Sequence, residues 1–240
     1  MFQIGRIIEC NFGLSDRHQV LWWLEQVKYT KALLCFIHTV FVSISTGSSG
    51  SALNRLYFPQ GISIDEKSDT LYIADTGNLR IVRYFCNGTS EIVAGGTTCE
   101  YAKAEICYPT GLHFEAATNS VIMSDYTRNS VVRWIIGTSE WIRLAGNVSS
   151  TSGNTSAELN HPEGLAVDVI GNLYVPDSSN HRIQFFPVGQ LDGLTIAGVT
   201  GLSGSNASLL SVPMEVTVDN QLNLYVSDTN NHRVQKFLRY

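Results

Sequence analysis

Acid–base pairs at a fixed spacing are the first chemistry the sequence offers. Asp75 is followed five residues later by Arg80, Asp177 by Arg182 and Asp228 by Arg233. Asp125 stands at the same place in a fourth stretch, with Ser130 where the arginine would be. A carboxylate and a guanidinium across a short turn can fix that turn, the acid accepting backbone N–H groups and facing the cation. The alternative is a set of acids around a substrate channel. Recurrence favours the first reading, because no reaction needs one catalytic group per repeat. The histidines are weighed in the same way. His181 and His232 occupy matching positions, His161 precedes Pro162, and His113 lies in a predicted strand. A metal needs several such groups to converge. We therefore expect no catalytic residue, no metal and no cofactor.

The elements that must position these residues come from four stretches that align. They start at Phe58, Tyr108, His161 and Val212, and each carries a proline, Pro59, Pro109, Pro162 or Pro213. The prolines are 50, 53 and 51 residues apart. A β-rich period near 50 signals radial repetition. Within a copy, Ile62 and Ile64 alternate with other residues as a strand requires. Leu71–Asp75 and Leu224–Asp228 make a second strand, and Arg80–Phe85 and Arg233–Phe237 a third. Glu91–Gly95, Ile142–Gly146 and Leu194–Gly198 make a fourth, which the last copy lacks. Four short antiparallel strands per repeat form a propeller blade that buries its faces against its neighbours. The fold expected is all-β, a propeller with four visible repeats, for which an incomplete six-bladed ring is one reading. Tyr72, Tyr174 and Tyr225 recur at one register and are expected between blades. Trp134 and Trp141 are expected to pack.

The pattern P-x-G-[LI]-x-[VI]-D followed by L-Y-[VI]-x-D-x-x-N-H-R-[IV]-Q resembles the NHL repeat. The resemblance covers Phe58 to Tyr240. It departs from the pattern at Leu79, at Ser130 and at Glu215, which stands where the other copies have glycine. The resemblance implies a binding scaffold that recognises a protein partner. Its ubiquitin-ligase branch is not supported, because no RING or B-box cysteine pattern occurs. Metal-holding lyases and lactonase-like propellers are relatives in fold and supply the alternative, a secreted enzyme.

Pro-x-Gly precedes strand one, and the Asp–Arg turn joins strands two and three, so both lie on one face. Strand one lines the channel of a propeller. Gln60, Thr110, Glu163 and Met214 should therefore ring its mouth, and they vary between copies, as binding positions and tolerated surface both do. They make a poor ligand set for a metal.

Charge narrows the partner. The net charge is −5, and residues 58–240, with 11 Lys+Arg against 18 Asp+Glu, carry −7. An acidic body argues against nucleic acid. Four Asn-x-Ser/Thr sequons, at Asn87, Asn147, Asn154 and Asn206, fall in predicted turns and loops. Cys99 and Cys107 are a disulfide candidate closing a short loop, with Cys86 left over. Both features point to the secretory route. Residues 1–57 do not match the repeat, which gives two regions, 1–57 and 58–240. Ser15-Asp16 is a plausible helix start. Lys28 and Lys31, the apolar run Ala32–Ser45 and small residues after it have the order of a signal sequence or anchor. The run is short for a membrane span. A packed element and a misassigned reading-frame start are the other readings of this segment. An extracellular or membrane-anchored propeller is expected, with a cytoplasmic chain as the alternative. Membrane contact is expected only through this segment, and self-association if the ring is open.

Overall fold

A computed structural model describes residues 49–96, 99, 106–139 and 141–238. The predicted N-terminal helix and apolar run lie outside them. No helix of the described residues is long and apolar enough to cross a membrane.

The described chain is built from antiparallel sheets whose strands run in sequence order. Blade one has β1 (Ile62–Asp65), β2 (Thr70–Asp75), β3 (Arg80–Tyr84) and β4 (Ser90–Gly95). Blade two has β5 (Pro109–Glu115), β6 (Ser120–Asp125), β7 (Ser130–Ile135) and β8 (Trp141–Ala145). Blade three has β9 (Ala166–Val167), β10 (Leu173–Asp177), β11 (Arg182–Phe186) and β12 (Leu194–Gly198). Blade four has, among the described residues, β13 (Pro213–Val218), β14 (Leu224–Asp228) and β15 (Arg233–Phe237). The propeller reading and its four repeats hold.

Each sheet has two apolar faces and covers them with the next blade. Tyr72, Ala74 and Ile81 of blade one cluster with Leu112, Val121 and Met123 of blade two. Ile122 and Val131 of blade two cluster with Leu165, Leu173 and Val175. Tyr174 and Ile183 of blade three meet Val216, Leu224 and Val226 of blade four. The recurring tyrosines explain themselves here. Tyr72 stacks on Phe114 of the next blade, with centroids 4.6 Å apart. Tyr174 is buried in the seam between blades three and four. Burying such a ring contributes about 2–3 kcal/mol. Trp134 and Trp141 pack against the first of these clusters.

The inner strands approach closely. A Cβ on Gly111 would stand 2.7 Å from the backbone carbon of Gly164 in the next blade. This is why glycine recurs in Pro-x-Gly. At the same register blade four has Glu215, whose carboxyl lies over Gly164. Among the described residues, no hydrogen bond or apolar cluster joins blade one to blade four.

Candidate functional site: the clamped face and its channel side

The Asp–Arg turns are clamps. In blade three, Asp177 ends β10 and Arg182 opens β11, which places the two residues opposite each other in the ladder. A 3-10 turn, Ser178–Asn180, joins them and closes with His181 in the left-handed region at φ 57°. Asp177 Oδ2 accepts from Arg182 Nε at 2.7 Å and from Asn180 Nδ2 at 2.8 Å. Its Oδ1 accepts from the Asn160 N–H at 2.7 Å. The rest of the guanidinium donates to the carbonyls of Asn154, Thr155 and Glu158. Asn180 Nδ2 also donates to Gly153 O. One carboxylate thus ties the loop arriving from blade two to both strands of blade three.

The same wiring recurs. Asp75 takes Arg80, Asn78 and the Tyr57 N–H, and Arg80 donates to Ser51, Ala52 and Arg55 carbonyls. Asp228 takes Arg233, Asn231 and the Ser211 N–H, and Arg233 donates to Ser205, Asn206 and Leu209 carbonyls. These carboxylates are fully buried and engaged on every side, so they do not line a substrate channel.

Blade two departs from this plan. Ser130 cannot supply the guanidinium, and a cavity of about 20 Å³ lined partly by Asp125, Arg128 and Ser130 lies in that region. Asp125 instead accepts the N–H groups of Cys107, Tyr108 and Arg128 and the Thr127 hydroxyl. The arriving loop is fastened covalently. Cys99 and Cys107 form a disulfide with Cα atoms 4.9 Å apart, and Arg128 Nε donates to the Cys107 sulfur at 3.1 Å. Cys86 does not compete for this pair, since it too is disulfide-bonded.

The histidines serve the seams. His181 Nδ1 accepts the Val212 N–H of the next blade at 3.2 Å, so its Nδ1 carries no proton in that bond. In blade two Asn129 does the same for the His161 N–H. His113 is half-buried, and the partial burial lowers its pKa. Among the described residues, no three His, Cys, Asp or Glu side chains converge in a metal-binding arrangement.

Of the four positions expected at the channel mouth, Thr110 is instead sealed between blades. It is 2% exposed, and its hydroxyl donates to Glu163 O at 2.8 Å. Gln60, Glu163 and Met214 are half-buried. Glu163 is one of an acidic pair. Burial pushes its carboxyl up to about 7. Burial, reinforced by the charge of Glu163, pushes Glu215 up to about 8, although its own Oε1 accepts the Val216 N–H. Both side chains keep some surface, yet among the described residues neither has a cation in salt-bridge reach. Tyr126 stacks on His161 at 4.3 Å and approaches Tyr108 at 5.7 Å. Burial, with the nearby Glu163 charge, raises the Tyr126 phenol. Beyond them Tyr57 and Phe58 are 42% and 53% exposed. This face offers apolar and hydrogen-bonding groups, with the charge of Glu163 felt at Glu215.

Two sets of residues escape the sequence reading. Asn78, Asn180 and Asn231 are clamp members. The loops they hold share a Gly-x5-Leu spacing, Gly50–Leu56, Gly153–Leu159 and Gly204–Leu210, that would have signalled them. In each loop the glycine N–H donates to the leucine carbonyl. Glu215 is visible as a departure from glycine, but its proximity to Glu163 is not.

Comparison with known proteins agrees with this construction. The NHL repeat matches residues 56–84, 159–186 and 210–237, the three copies with an arginine clamp. No curated protein matches the chain. A gluconolactonase from Xanthomonas campestris is similar at 18% identity and TM-score 0.59, covering 77% of this chain and 59% of its own. An auxiliary nutrient binding protein from Bacteroides ovatus is similar at 16% and 0.56, covering 77% and 49%. A chain of a nidogen/laminin complex is similar at 19% and 0.57, covering 76% and 60%. At these identities the likeness is one of fold, and the chain spans about half the length of such structures. Clamped turns, blade-to-blade seams and three matched repeats support an NHL-repeat β-propeller family for the chain.

Proposed function

We propose that the chain is a non-catalytic binding scaffold that takes a protein partner on the face carrying the Pro-x-Gly and Asp–Arg turns. The observation that supports this is the division of labour on that face. The recurring polar groups are consumed internally by the clamps, while the exposed positions differ from blade to blade and include Tyr57 and Phe58. Exposed aromatic side chains on a rigid frame are the usual anchors of protein recognition. The acidic balance favours a basic or neutral partner over nucleic acid. Among the described residues no strand pairs with the outer edge of β15, which gives a second route, pairing with another copy of the chain.

The test compares the full chain with a Tyr57→Ala/Phe58→Ala variant as immobilised bait against secreted and cell-surface proteins. A partner bound by the parent and lost with the variant supports the reading. A partner retained equally by both overturns the assignment of the face.

A second reading is an enzyme of the metal-dependent lyase or lactonase-like kind. It is favoured by the carboxyls of Glu163, ahead of β9, and Glu215, on β13, which have no cation in salt-bridge reach among the described residues, and by the resemblance to a gluconolactonase in fold. Metal analysis of the purified full chain separates the two. A stoichiometric divalent cation released by Glu163→Gln favours the enzyme.

A further inference from the structure

Four sequons are written into the loops, but the fold treats their amides differently. Asn87 sits at the tip of the β3–β4 turn and is exposed. Its Oδ1 accepts the Thr89 N–H at 2.9 Å and the Thr89 hydroxyl at 2.6 Å. Asn206, in the loop entering blade four, repeats this arrangement. Its Oδ1 accepts the Ser208 N–H and hydroxyl, each at 3.0 Å, and the residue is exposed. In both, the oxygen is turned into the loop's own bonds. Asn154 is exposed as well, its backbone carbonyl held by Arg182.

Asn147 is the opposite case. It is half-buried, and its Nδ2 donates to the Thr151 hydroxyl at 2.8 Å, to Thr151 O at 3.1 Å and to Glu158 Oε1 at 3.4 Å. Its Oδ1 accepts from Ser149 and from the Thr151 N–H. Glu158 in turn holds Thr155 through its N–H and hydroxyl, in the loop that Arg182 clamps. A substituent on this nitrogen would replace a donated hydrogen and displace Thr151 and Glu158.

We infer that Asn87, Asn154 and Asn206 carry N-linked glycans in the folded protein and that Asn147 does not. The co-reactant is a lipid diphosphate-linked oligosaccharide. The amide Nδ2 bonds to the anomeric carbon, the bond from that carbon to the phosphate oxygen breaks, and the lipid diphosphate leaves. The amide loses one proton to a base, and nothing is oxidised or reduced. The Cys99–Cys107 disulfide is independent support, because it belongs to the oxidising compartment where this transfer takes place.

The experiment is expression of the full chain in a secretory eukaryotic cell, isolation of folded protein, and enzymatic glycan removal in 18O-water with site-resolved mass spectrometry. Conversion of Asn87, Asn154 and Asn206 to labelled aspartate, with unmodified Asn147, is the expected result. A chain whose mass does not change on glycan removal overturns the inference, as does folded protein labelled at Asn147. Ser149→Ala destroys the Asn147 sequon and should leave the glycan mass unchanged. A loss of one glycan's mass in that variant counts against the assignment. None of these outcomes depends on the binding reading, since no glycan site lies on Tyr57 or Phe58.

Discussion

Blades three and four carry the same clamp in different surroundings. In blade three β12 covers β11, and Arg182 and Asp177 have side chains 3% and 0% exposed. In blade four nothing described covers β15, and Arg233 is 30% exposed over an Asp228 that is still buried. Gln184 is fully buried beneath β12, where Thr195 donates to its Oε1, while its counterpart Gln235 is half-buried and turns its amide to Leu209 O and Asp228. Electrostatics follow the cover. Burial raises the Asp177 carboxyl despite the donors Asn180, Asn160 and Arg182. At Asp228 burial acts in the same direction but is outweighed by Asn231, Ser211, Arg233 and Gln235, and the carboxyl is lowered. A fourth strand thus changes the meaning of an identical ion pair. Buried, it is a packing element that costs desolvation and fails badly if broken. Half-open, it is closer to a surface bridge.

The largest expected effect sharpens this contrast. Arg182→Ala should destabilise by about 3–5 kcal/mol, because it leaves a buried carboxylate without its cation and three carbonyls without their donor. Arg233→Ala should cost only about 1–2 kcal/mol, because water reaches the gap. Equal midpoint shifts in denaturant titrations would break the comparison. Blade two supplies the next test, since it has a covalent fastener in place of the arginine. Cys99→Ser with Cys107→Ser should cost about 2–3 kcal/mol, and reduction of the parent, which also opens the Cys86 disulfide, should cost at least as much. A melting temperature unmoved by either treatment would show that the disulfide does not replace the clamp.

The Glu163–Glu215 pair gives an effect of similar or smaller size that depends on pH. Both carboxyls are raised in the folded state above the ordinary 4.5, to about 7 and about 8. The folded chain therefore holds more protons than the unfolded one across that window. Stability is highest at its acid end and falls as pH rises toward 8. Glu215→Gln removes one titration and should make the chain about 1–3 kcal/mol more stable than the parent above about pH 8. Calorimetric scans across the window check this, and parallel curves for parent and variant would refute it. The smallest effect belongs to the seam. His181→Leu, copying the residue blade one has at Leu79, loses one interblade hydrogen bond and should cost about 1 kcal/mol. Hydrogen exchange at the Val212 amide reads that bond directly.

How much of this was legible in the sequence follows from range. Strands, turns and the Asp–Arg pairs are written within a few residues of one another, so alternation at Leu71–Asp75 and the proline period were enough to find them. The clamp's far side was harder. Arg182 reaches carbonyls 24 to 28 residues earlier, and backbone acceptors leave no mark on residue type. Only the Gly-x5-Leu spacing betrays the loop that offers them. Thr110 was misplaced for a related reason. Variation between copies looks the same whether a side chain faces a ligand or the next blade, and here the hydroxyl meets Glu163 O. The Glu163–Glu215 approach is set by how two blades lie against each other, which no local pattern encodes.

The clamp has a consequence for how such a chain can be copied or cut. The loop entering a blade is fastened by the arginine and asparagine of that same blade, so the heritable cassette begins upstream at Gly153 or Gly204. A graft or duplication spliced there would carry its own fastener. One spliced at the proline would part the guanidinium from its carbonyls and arrive with a loose hinge.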